Sequence, residues 1–221
     1  MDDTWLVIPL FEEAAVVGDV VSAAKETFPR VVCVDDGSSD DSAAAAEGAG
    51  AVVVRHSINL GQGAALQTGL AYALTDPLMR YAVTFDADGQ HRVEDAAAMV
   101  ARLRAGEADA VFGSRFLDGR TQLSPLKRTV LRAGVAYSNA TTGVRMTDAH
   151  NGLRALSRDV VASLRLTQNR MAHASELVEQ VGRGGWRTVE HPVEILYTDY
   201  SRAKGQSVWN SVNILTELLF R

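Results

Sequence analysis

A single cysteine among 221 residues leaves no internal disulfide and no zinc site built on a cysteine cluster. Cys33 lies within the apolar run VVCV, the setting of a small buried hydrophobe. No apolar run reaches the roughly 18 residues that a membrane-spanning helix requires. The opening MDDTWLVIPL puts two acids where a secretory signal wants basic residues, and its apolar run is short. The expected location is therefore the cytoplasm, with docking at the inner face of the plasma membrane left open. An excess of positive charge is also missing: at a net charge of −5 the chain is a poor candidate for nucleic-acid binding. No GxxxxGK[ST] occurs, so a P-loop ATPase is unsupported. The G-x-G of NLGQGAALQTG falls short of GxGxxG, which leaves a dinucleotide fold as a weak alternative. Internal repeats, low-complexity tracts and linkers are absent as well.

What is present reads as one folded unit. Apolar residues make up 47% and charged residues 22%, the balance of a soluble globular domain. The β-rich runs at 5–10, 31–35, 51–55, 81–86 and 108–113 predict buried strands. Helical composition fills 12–28, 40–48, 62–74 and 93–105 between them, with Ser39 and Asp40 as expected N-cap residues. Such alternation predicts an α/β fold, a mainly parallel sheet with helices on both faces. Further on, 125–143 and 171–185 read as helices and 186–197 as a strand. Residues 207–220, carrying Trp209, Val212, Leu215 and Leu219, read as an amphipathic C-terminal helix.

Ligands of open parallel sheets bind beyond the carboxyl ends of the strands. Three stretches fall there: DDGSSD (35–40), NLGQG (59–63) and DADGQH (86–91). Acids and glycines make good turns, so any one of them alone is unremarkable. Together they predict a shared site. Asp86 and Asp88 sit one residue apart, and a turn at Gly89 aims both outwards. With the neutral oxygen of Gln90 they suit a hard cation, Mg²⁺ or Mn²⁺. His91 is either a nitrogen ligand or a hydrogen-bonding histidine.

In order and spacing these stretches resemble the inverting, nucleotide-sugar-dependent glycosyltransferases of family 2, which have the Rossmann-like GT-A fold. VIPLFEE, VVCVDDGSSDDS, NLGQGAALQTGL, TFDADGQH, FGSRF, TDAHNGLRAL and EHPVEILYTDYSRAKGQS carry the resemblance over nearly the whole chain. Its nearest look is to the dolichol- and polyprenyl-phosphate sugar synthases. The resemblance implies one catalytic domain over 1–221: a nucleotide-sugar-binding half (1–115), then an acceptor-binding half (116–221) with the C-terminal loop and helix. Pro9, Glu13, Asp35, Asp36, Gly61, Asp86 and Ala87 would contact a UDP- or GDP-sugar, while Asp86, Asp88 and Gln90 hold the metal. For Glu13 a solvated acid before a helix is the plainer alternative. Phe11-Glu12 replaces the usual Tyr-Asn, Gln62 a common Lys, and Val208 the Lys that often follows the serine of the RxxGxS loop.

Between Arg115 and Arg132 five cations face one acid, Asp118. By resemblance Arg115 and Arg128 hold a lipid phosphate, a task that suits the guanidinium fork. Arg120 and Arg132 read equally well as a solvated face. Arg202, with Lys204, would neutralise charge on the departing diphosphate. Asp148 is catalytic on this reading: a general base for a sugar hydroxyl, or an orienting residue for an acceptor phosphate that needs no base. Its plain alternative is a salt bridge to Arg145 or Arg154. Glu176 matches a further family acid or is a solvated helix position. The expected reaction moves a hexose with inversion to a polyprenyl phosphate, with a membrane surface or membrane partner close by. Transfer to a hydroxyl of a growing glycan and a catalytically silent sugar-nucleotide-binding domain are the alternatives.

Overall fold

Alternate residues of the first strand face opposite ways, and both faces are apolar. Leu6, Ile8 and Leu10 enter one core, while Trp5 and Val7 enter another. A strand buried on both sides must lie inside a sheet covered by helices on each face. The computed structural model describes residues 1–118, 129, 131, 132, 135, 136, 139, 145–148, 150–168 and 172–196.

Within these the order is β1 (Thr4–Leu10), α1 (Val17–Lys25), β2 (Arg30–Asp35), α2 (Ser42–Gly48), β3 (Val52–Arg55), α3 (Gln62–Leu74), β4 (Tyr81–Thr84) and α4 (Val93–Arg104). Then follow β5 (Ala110–Ser114), β6 (Arg154–Ser157), α5 (Arg158–Ser163), α6 (Ala172–Arg183) and β7 (Thr188–Pro192). The seven strands lie in the order β3-β2-β1-β4-β6-β5-β7. All neighbours are parallel except β6, which runs antiparallel to both β4 and β5. Residues from α1, α2 and α4 pack on one face, and residues from α3, α5 and α6 on the other. The expected α/β architecture is the observed one. Cys33 is fully buried, and burial pushes its thiol up to about 12, so it is an inert core residue.

Two departures bear on the site. Helix α1 begins at Val17 rather than 12, because residues 12–14 are tied to the segment that links β2 to α2. The Glu12 N–H donates to Ser38 Oγ (3.0 Å), the Glu13 N–H to Ser42 Oγ (2.7 Å) and the Ala14 N–H to Asp40 Oδ2 (3.2 Å). Asp40 also accepts from the Ser42 N–H at 3.1 Å, although the N-cap position itself falls on Asp41. The other departure is β6, an unforeseen strand whose first residue, Arg154, is 1% exposed.

Of the helix expected over 125–143, residues 129, 131, 132, 135, 136 and 139 are described and helical. The C-terminal helix, with Trp209, Val212, Leu215 and Leu219, lies outside the described residues.

Glu12 has φ of 53°, the one non-glycine residue with positive φ among those described. A left-handed backbone costs a side chain other than Gly, Asn or Asp about 1 kcal/mol. Glu12→Asn, which restores the residue usual in the resembling family, is expected to stabilise the fold by about 0.5–1 kcal/mol. Urea denaturation checks this: the midpoint rises with an unchanged slope.

Candidate active site

The loops after β1, β2, β3 and β4 meet at one edge of the sheet. Asp36 is 3% exposed and binds three donors. Its Oδ1 takes the Leu60 N–H at 2.9 Å and lies 2.7 Å from His56 Nδ1, and its Oδ2 takes the Gly61 N–H at 2.7 Å. His56 Nε2 continues to Thr68 Oγ1 at 3.0 Å. Gly61, with φ of 94°, then opens α3 in a conformation few other residues adopt. Asp36 thus staples the glycine-rich loop, and Asp35 is the acid with spare capacity. Asp35 Oδ1 accepts the Ser38 N–H at 3.1 Å, and among the described residues Oδ2 takes no hydrogen bond.

Strand β4 ends at Thr84, so Asp86 and Asp88 stand in the loop beyond it, with Gly89 at φ of 74° making the turn. His91, its side chain 3% exposed, sets Nε2 2.9 Å from Asp86 Oδ2 and packs edge-on against Phe85. It is a hydrogen-bonding histidine that orients Asp86. Gln62, in the first turn of α3, donates to Asp86 Oδ1 at 3.4 Å. Burial pushes the Asp86 carboxyl up, but the charge and hydrogen bond of His91, followed by Arg154 and His173, outweigh it and hold the group below the ordinary carboxylate range.

Asp88 goes the other way. Burial first, and then the charges of Asp86 and Glu13, push it up to about 6 against the pull of His91 and the Gln90 N–H. A carboxylate set in a buried position beside a second acid is one whose ionised form a bound cation would favour.

Among the described residues no three His, Cys, Asp or Glu side chains converge as a complete metal cage. Two carboxylates and the Gln90 oxygen fit a Mg²⁺ or Mn²⁺ that draws its other ligands from substrate phosphates and water. Ala87 is buried between the two acids, and Pro9 lies in β1 opposite Val34.

On the other side, at the end of β5, Arg115 grips Asp148. Its Nε donates to Oδ2 at 2.6 Å and Nη2 to Oδ1 at 3.4 Å, while its backbone N–H adds 3.2 Å to Oδ2. Asp148 is 2% exposed. The ion pair therefore forms with Arg115, rather than with Arg145 or Arg154. The guanidinium of Arg132 lies 6.0 Å from the centroid of the Phe116 ring, next in sequence to Arg115. Arg154 feels both sites: burial pulls its pKa down to about 10, against the charges of Asp86 and Asp148.

The family model described as Glycosyl transferase family 2 matches residues 5–165. The chain belongs to that family. Among similar proteins is an uncharacterised protein of Methanocaldococcus jannaschii, 32% identical over the whole chain and 92% of its own length. The UDP-N-acetylglucosamine–dolichyl-phosphate N-acetylglucosaminyltransferase of Methanococcus voltae is 29% identical over 97% of this chain and 94% of its own. The polyprenol monophosphomannose synthase of Mycolicibacterium smegmatis is 29% identical over 99% of this chain and 84% of its own. In fold the chain is similar to glucosyl-3-phosphoglycerate synthase of Mycobacterium tuberculosis. The TM-score is 0.74 at 20% identity, over 99% of this chain and 79% of that one.

The candidate site thus gathers Glu13, Asp35, Asp36, Gly61, Asp86, Asp88 and Gln90 in the loops after β1 to β4 and pairs Arg115 with Asp148 beyond β5. Arg128, Arg202, Lys204, Arg120 and Lys127 lie outside the described residues. Glu176 serves neither side directly. It accepts the Thr167 N–H (2.9 Å) and Gln168 N–H (2.9 Å) and so shapes the loop before α6. Sequence reasoning missed the buried centre made of Arg154, Gly152 and His173. Arg154 alone left a signal, as a considered partner for Asp148.

Proposed function

We propose that this glycosyltransferase moves a hexose, with inversion, from a UDP- or GDP-sugar to a polyprenyl phosphate, using Mg²⁺ or Mn²⁺. The observation that carries the choice of acceptor is the buried Arg115–Asp148 pair. A general base must reach the proton it removes. The Asp148 oxygens instead face a guanidinium, an arrangement that fixes a cation for a phosphate and leaves no proton to abstract. The names of the archaeal and mycobacterial relatives support the same acceptor. The fold neighbour was crystallised with Mn²⁺, UDP-glucose and phosphoglyceric acid, which supports the donor class and the metal.

In this reaction an acceptor phosphate oxygen attacks the anomeric carbon from the face opposite the diphosphate, and the C1–O bond to the diphosphate breaks with its electron pair on the leaving oxygen. A divalent ion, when bound, stabilises that leaving charge. Asp86 and Asp88 would hold it, His91 and Arg154 keep Asp86 ionised and oriented, and Arg202 is assigned to the leaving diphosphate. Among the described residues no helix is long and apolar enough to cross a membrane. On this reading the lipid acceptor is met at the cytoplasmic face of a membrane or through a membrane partner.

The test combines a thermal-shift panel of UDP- and GDP-sugars, with and without Mn²⁺, and transfer to farnesyl phosphate. A Mn²⁺-dependent rise in Tm is expected for the true donor, since binding to the native state stabilises it by mass action. Asp148→Asn separates the two acceptor classes. We expect it to raise the farnesyl-phosphate KM by about tenfold, the size of one weakened charged hydrogen bond, with kcat largely kept at every pH. Loss of nearly all kcat across the pH range would instead identify Asp148 as a base for a hydroxyl acceptor.

A further inference from the structure

The Arg115–Asp148 pair is itself held by a residue to which the resemblance gives no role, the first of the stretch EHPVEILYTDYSRAKGQS. Glu190 lies in β7, the last strand of the sheet, paired with Phe112 of β5. Its Oε1 accepts three hydrogen bonds: from the Thr147 N–H (2.8 Å), the Thr147 hydroxyl (2.8 Å) and the Asp148 N–H (3.1 Å). Thr147 Oγ1 lies 2.6 Å from Ser114 Oγ, and Ser114 Oγ accepts the Phe116 N–H at 3.3 Å. The chain of bonds thus runs from Glu190 to Asp148, which faces Arg115, and through Thr147 to Ser114 and Phe116, which flank it. The strand is anchored in turn: the Glu190 carbonyl takes the guanidinium of Arg102, on α4, at 2.8 Å.

We propose that Glu190 is a positioning residue for Arg115. Through the backbone of 147–148 it fixes where the Asp148 carboxylate stands, and so where the Arg115 guanidinium points. Side chains locked by such a supporting layer hold a binding group to within about 0.5 Å of its working position. Asp148, whose backbone N–H is one of the three donors, is 2% exposed, and a buried N–H left without a partner is costly. The functional part of this proposal rests on reading Arg115 as the cation for the acceptor phosphate. The positioning part does not.

The experiment uses the full chain and two readouts. ¹H–¹⁵N spectra of the arginine Nε–H groups, with Arg115 assigned through Arg115→Ala, report the bond to Asp148 without any substrate. Farnesyl-phosphate KM and kcat, with the Mn²⁺–nucleotide thermal shift alongside, report function. Glu190→Ala is expected to move or broaden the Arg115 signal and to raise the acceptor KM by about tenfold. The thermal shift from Mn²⁺ and nucleotide should stay as in the wild type. Glu190→Gln is expected to restore both, since its amide oxygen can still accept from the Thr147 and Asp148 N–H groups. An unmoved Arg115 signal in Glu190→Ala, or a raised KM accompanied by an equal loss of donor binding, overturns the proposal. If Arg115→Ala itself leaves the acceptor KM unchanged, the acceptor reading fails, and the spectral result alone decides the role of Glu190.

Discussion

Gly152→Ala is expected to lower turnover by about two orders of magnitude while the fold stays intact, because a displacement of about 1 Å at a reacting centre is worth that much. The cause is the register of β6. Thr84 stands across from Arg154, so continuing the antiparallel pairing by two residues sets Gly152 across from Asp86. The Thr84 hydroxyl donates to the Gly152 carbonyl at 2.6 Å, which draws the two chains together there. A methyl group on residue 152 would meet Asp86 Oδ1 and Cγ at 2.7 and 2.8 Å and Oδ2 closer still. The Gly152 backbone is outside the left-handed region, so alanine is conformationally acceptable and the conflict is steric alone. The short aspartate must give way, leaving His91 and the cation position together. Circular dichroism and Tm near the wild-type values, a weakened Mn²⁺-dependent thermal shift and the fall in kcat would together identify this cause. Full activity in Gly152→Ala would show that the Asp86 position is not critical.

Arg154→Met carries the second large effect, and here it falls on stability. Arg154 is 1% exposed, with Asp86 and Asp148 as the charges that favour its ionised form. Removing one member of a buried charge cluster leaves the others uncompensated, a loss of about 3–5 kcal/mol. For a chain of this size that corresponds to a Tm lower by roughly 10 °C.

The pH dependence follows from Asp86. Its folded pKa is held below the ordinary value, partly by Arg154, so its contribution is present above the unfolded value of 3.8 and is lost as pH falls through the folded value. In Arg154→Met the carboxyl moves up and protonates sooner. The deficit relative to wild type is therefore expected to be largest at neutral pH and to shrink as the solution approaches pH 4. Urea titrations at several pH values measure it, and a deficit constant with pH would assign the loss to packing.

Much of the first half of the chain was legible because it is built from local signals. Runs such as VVCVD, buried on both faces, and AVVVR, half-exposed at the edge of the sheet, read as strands from their β-branched composition without tertiary information. Asp35, Asp86 and Asp88 announced themselves by falling just past such runs. What escaped is made by pairing across distance. RALS has no apolar alternation, and it is a strand only because β4 and β5 offer edges on either side. Arg154 is buried because its charge is answered by groups on other elements, a fact no window of sequence contains. Asp36 resembled its neighbour Asp35, yet its oxygens are committed to the loop at 56–61, some twenty residues on. The start of α1 was misplaced for a similar reason: hydrogen bonds from residues 12–14 to the loop after β2 outweigh the helical composition of 12–16.

The backward strand also shapes the order in which the molecule can assemble. As the chain emerges from its amino end, β1 to β4 complete a parallel block whose β4 side is an open row of unpaired backbone groups. Strand β5 is made next but cannot close that row, because β6 must come between them and is synthesised some forty residues later. Until then the nascent protein carries a bare edge able to pair with another chain. Closing that edge and enclosing Asp86 are one event, since the strand that does the first brings Arg154 and Gly152 to that carboxylate.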